Sequence, residues 1–135
     1  MTRFRRRRDE GGAAAVEFAL VMIPFFVLIA GLIQYGWYFY VASNTSGAVS
    51  TVARKMEVGD CWGSGAALTY AKNQSPQITG LTKSPSQDTA PAPGTTFTVT
   101  VSADAKILGF LPMPGNAVVD RTVTAQMEDD KATTC

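Results

Sequence analysis

No polar residue interrupts the chain between Phe18 and Ile33, and only Gln34 breaks the apolar and aromatic run that continues to Val41. At about 1.5 Å per residue, a helix from Phe18 to Tyr40 reaches roughly 35 Å, enough to cross a hydrocarbon core of about 30 Å. A Sec signal peptide carries a shorter apolar stretch, usually about 7 to 15 residues. A permanent anchor therefore fits the length better than a signal removed near Val41-Ala42-Ser43. Of 135 residues, fewer than a hundred follow the run, which leaves room for one small folded head.

The formal net charge is +1, but it is unevenly placed. Arg3, Arg5, Arg6, Arg7 and Arg8 precede the run, with Asp9 and Glu10 in partial compensation. From Ala13 onward, seven basic residues stand against nine acidic ones, a net of −2. A basic cluster beside a span holds that end in the cytoplasm, so the N-terminus is expected inside and the C-terminal part outside. An arginine run also serves nucleic-acid binding. Here it abuts the span and no basic or aromatic patch continues it, so no nucleic-acid partner is expected.

Within this arrangement Glu17 stands out. A carboxylate in a membrane helix costs about 2.5–3.5 kcal/mol near the bilayer centre and less toward an edge. Glu17 sits at the edge of the run, and its plainest role is to reach the headgroups. The surrounding residues suggest more. Gly12-Ala13-Ala14-Ala15-Val16-Glu17-Phe18 resembles the cleavage motif of type IV pilin-like proteins, in which a basic leader ends in glycine and glutamate is the fifth mature residue. The Arg-rich leader and the "AAAVEFAL" run are more closely similar to TadE-like pseudopilins, the minor pilins of the tight-adherence pilus. Phe18 departs from the tyrosine that often follows the glutamate in the major pilins of these systems.

That resemblance implies cleavage between Gly12 and Ala13 by a membrane prepilin peptidase. It also implies assembly through Glu17 and Phe18 with other pilins or pseudopilins and the pilus assembly platform. The expected location is the bacterial cytoplasmic membrane, single-pass, with incorporation into a cell-surface pilus as a further step. Physical chemistry gives the glutamate a use. Cleavage would free an α-amino group at Ala13, about 6 Å of helical rise from Glu17. An ammonium–carboxylate pair, within one chain or between neighbours shifted by a turn, would offset the burial cost of the carboxylate. Ala13, Ala14, Ala15 and Ala19 are small enough to let helices approach closely.

Pro24 should kink the helix, and Tyr35, Trp37, Tyr38 and Tyr40 suit an interfacial belt where it leaves the bilayer. Beyond them Val41, Ala48, Val49, Val52, Ala53 and Met56 recur at helical spacing, so the helix is expected from about Ala13 to Val58, with Gly59 as its stop. Ala66 to Asn73 reads as a short helix. Ile78 to Thr82 reads as an edge strand, and Ser84 to Thr96 as a Pro/Ser/Thr/Ala linker or long hairpin loop. Phe97, Val99, Val101 and Ala103 alternate with polar residues as a strand with one buried face, and Val119 to Met127 alternates likewise. Leu108 to Pro114 is an apolar loop. The fold class expected is α+β: a cleavable leader over residues 1–12, a long helix over 13–58 whose residues 18–40 span the membrane, and a small extracytoplasmic antiparallel β head over 59–135.

Cys61 and Cys135 both fall on the outer side, where disulfides persist. A bridge would close a loop of about 75 residues and contribute roughly 4 kcal/mol in the chain-entropy model. The alternative is a buried free thiol at Cys61 and a loose Cys135. With two cysteines and no histidine, neither a metal site nor a histidine-based catalytic triad is expected. "GDCWGSG" lacks the lysine of a phosphate-binding loop. Glu128, Asp129 and Asp130 read as a solvated acidic tail. No catalytic or cofactor-binding residue is expected, and the chain reads as a substrate of an enzyme. The alternative from another class is an uncleaved, single-span anchored envelope protein with a small extracytoplasmic binding head.

Overall fold

The computed structural model describes residues 6–63, 65–107, 112–129 and Cys135. The chain is α+β. Helix α1 runs from Arg6 to Glu57, helix α2 from Ala66 to Gln74, and strands β1 (Ile78–Ser84), β2 (Thr96–Asp104) and β3 (Val118–Gln126) form one antiparallel sheet in the order β1-β2-β3. Two compact units divide the chain: one extends to Tyr35, and the other comprises Gly36–Cys135.

The first unit is helix alone among the described residues. Its side chains from Val16 to Ile33 are predominantly solvent-exposed; Leu20, Ile23, Leu28 and Leu32 are each at least 67% exposed. Among the described residues α1 alone is long and apolar enough to cross a membrane. Pro24 lies inside it. Among the described residues the chain is already helical from Arg6, ahead of the expected start at Ala13.

In the second unit, the expected stripe of Val41, Ala48, Val49, Val52, Ala53 and Met56 is buried. It packs with the inward side chains of the sheet in one apolar core. Central strand β2 supplies Phe97, Val99, Val101 and Ala103, all essentially inaccessible. Their polar neighbours Thr98, Thr100 and Ser102 point to the other face, as the two-residue period requires. Trp37 and Tyr38, expected in an interfacial belt, are partly buried and pack against this core. Edge strand β3 is less deeply placed, and Val123, which alternation puts in the core, is only half-buried.

On β1 the register slips between Ile78 and Gly80. An irregularity of this kind lets both Ile78, opposite Ala103, and Leu81, opposite Val101, face the core although they are three residues apart. α1 ends in a Schellman arrangement: the Gly59 amide donates to Met56 O at 3.0 Å and the Asp60 amide to Lys55 O at 3.0 Å. Gly59 has φ 85°, which glycine adopts without the Cβ penalty. The linker carries no helix or strand between Pro85 and Thr95 and joins the sheet through the Gly94 amide to Met127 O (2.8 Å) and the Met127 amide to Thr95 O (2.9 Å). Residues 108–111 of the apolar loop lie outside the described residues.

Candidate functional site

Gly12, Ala13, Glu17 and Phe18 lie together on α1 in its first unit. Nothing of the described chain covers them: Ala13 to Phe18 are all exposed, with Val16 at 60% and Phe18 at 62%. A Cβ built at Gly12 meets nothing within 4 Å, so no packing within the chain requires glycine there. The segment is a helix surface of small and apolar residues bearing one carboxylate. In water such a surface is unfavourable by about 25 cal/mol for every Å² of apolar area. Lipid or other helices are its natural surroundings.

The other predicted pair lies at the far end of the same helix, in the second unit. Cys61 and Cys135 form a disulfide, with their Cα atoms 4.9 Å apart and a separation of 74 in sequence. Cys61 is buried and takes a positive φ of 62° directly after the helix stop. The bridge brings the C-terminal residue to the end of α1. The preceding acidic segment is tied down there as well, because the Glu128 and Asp129 amides donate to Glu57 O at 2.8 and 3.2 Å. Those two residues are therefore more than the solvated tail that their charge suggests: their backbone satisfies a carbonyl that the helix end leaves open. Asp130 lies outside the described residues. Among the described residues no group of three or more His, Cys, Asp or Glu is arranged to hold a metal ion.

Sequence reasoning missed Trp62, around which this end of the head is built. Its indole Nε1–H donates to Met56 O at 2.9 Å, and its ring meets Phe97 edge to face at 5.3 Å between centroids. The Lys83 ammonium lies 5.0 Å from the ring centroid, donates to Trp62 O at 2.5 Å, and sits 3.5 Å from Asp88. Helix end, cystine turn, β1 and β2 thus meet on one side chain. The available signal was a large aromatic residue within a glycine-rich turn, a place where it must find burial elsewhere in the fold.

These features define a class first: an α+β protein with one long N-terminal helix of membrane-spanning length and a small disulfide-closed head. The model of the TadE-like protein family then matches residues 12–54, so from Gly12 almost to its end α1 is similar to that family. Searches of curated proteins and of solved structures return no match.

Proposed function

We propose that the protein is a minor pilin (pseudopilin) subunit for a tight-adherence type pilus, cut after Gly12 by a prepilin peptidase and assembled through its N-terminal helix. One observation carries the reading: the TadE-like match begins at Gly12 and covers a helix whose apolar surface from Val16 to Ile33 the described chain leaves largely bare. Apolar side chains exposed over this length need a bilayer before assembly. Afterwards they need the helices of neighbouring subunits. Glu17 is the polar exception on that surface, and the Ala13 ammonium released by cleavage is its chemical complement.

The head has a different task in this account. It keeps the C-terminal chain folded outside the membrane, and its disulfide suits an oxidising compartment. Co-purification from the membranes of the protein's own host tests the proposal. Recovery together with other pilin-like subunits, dependent on Glu17, is expected. Recovery of an isolated, full-length chain would favour the uncleaved single-span anchored protein with a binding head.

A further inference from the structure

The bond that this reading has cut, Gly12–Ala13, lies inside α1, which runs over Arg6–Glu57 among the described residues. In a regular helix the Ala13 amide donates to the carbonyl four residues back, and the Gly12 carbonyl accepts from the amide four residues on. A peptidase cannot approach both faces of a carbonyl held in this way, so the helix must open locally before hydrolysis. Water then adds across the amide, Gly12 leaves with the leader as a carboxylate, and Ala13 begins the mature chain as an ammonium.

We infer that Gly11 is a positioning residue for processing: with Gly12 it makes the start of α1 easy to unwind and so exposes the Gly12–Ala13 bond. The inference rests on the processing reading above. The helix propensities on either side of the bond support it. Glycine is the least favourable helix residue after proline, and two stand in succession at Gly11-Gly12 while three alanines, the best helix formers, follow at once. The change from poor to good helix former falls on the bond itself. A Cβ at Gly12 would meet nothing within 4 Å among the described residues, so packing there does not oppose the opening.

The test compares full-length wild-type, Gly11→Ala and Gly11→Thr chains in membranes containing a prepilin peptidase, followed by intact mass over time. Where opening is fast relative to cleavage, rate follows the open population. Gly11→Ala should then be cut about fivefold more slowly than wild type. Threonine is larger than alanine but a poorer helix former, so Gly11→Thr should be cut about threefold faster than Gly11→Ala. Hydrogen exchange of the amides of residues 13–16 in the uncleaved chain should slow about fivefold in Gly11→Ala, independently of any peptidase. Equal rates for Gly11→Ala and wild type, or a Gly11→Thr chain slower than Gly11→Ala, would overturn the inference, the second result pointing to exclusion by size. A wild-type chain never cut at Ala13 would remove the processing reading itself, a distinct outcome.

Discussion

Trp62 shows what a single side chain does in so small a head. It fills space between the helix end and β2 and donates a hydrogen bond to Met56 O, which also accepts the Gly59 amide. Trp62→Phe keeps most of the volume and leaves that carbonyl one partner, so a loss of about 1 kcal/mol is expected in denaturant unfolding. Trp62→Ala opens a cavity and should cost about 3–5 kcal/mol. At the other end of α1 the expectation reverses. Gly12→Leu places its side chain in open space and should leave the head's stability unchanged, while processing stops because the bond is no longer flanked by a small residue. Gly12→Ala should be partly processed. Gel mobility and intact mass distinguish the two substitutions.

The elements were legible where one physical period dominates. The alternation through Phe97 to Ala103 and the stripe from Val41 to Met56 each report a single buried face, and both are buried as read. Where two demands compete, the pattern misleads. The aromatic residues at Trp37 and Tyr38 suit a membrane interface and a protein core equally, and their packing against the head follows from the sheet's position, which the sequence pattern does not report. Val123 alternates correctly but lies on an edge strand, where burial is shallower. The slip at Ile78 is invisible because a register shift follows from pairing across strands. Of the candidate site, the glycine–glutamate segment and the cysteine pair were legible as residues; Trp62 and the backbone cap from Glu128 and Asp129 were not, since both depend on contacts distant in sequence. The cap and the disulfide together yield an element-scale prediction. Cys135→Ser should lower the unfolding free energy by about 2–5 kcal/mol and speed hydrogen exchange at the Glu128 and Asp129 amides, while β2 amides stay protected up to the new global limit.

For the whole molecule, the proposed function assigns two tasks along one chain: insertion and assembly to the N-terminal helix, and folding on its own core to the C-terminal head. Glu17→Gln removes the charge and preserves the size, and Glu17 lies in the unit without the head's core. It should leave insertion, cleavage and head stability unchanged while co-purification with pilin-like subunits is lost. Wild-type recovery of those subunits would reduce Glu17 to a carboxylate resting among headgroups. The central claim is that α1 is made as a precursor and used after cleavage, and the mass of the protein isolated from its own host tests it most directly. The account predicts a chain that starts at Ala13 and retains the Cys61–Cys135 bridge; a chain that still carries its arginine leader, or one that starts near Ser43, would contradict it.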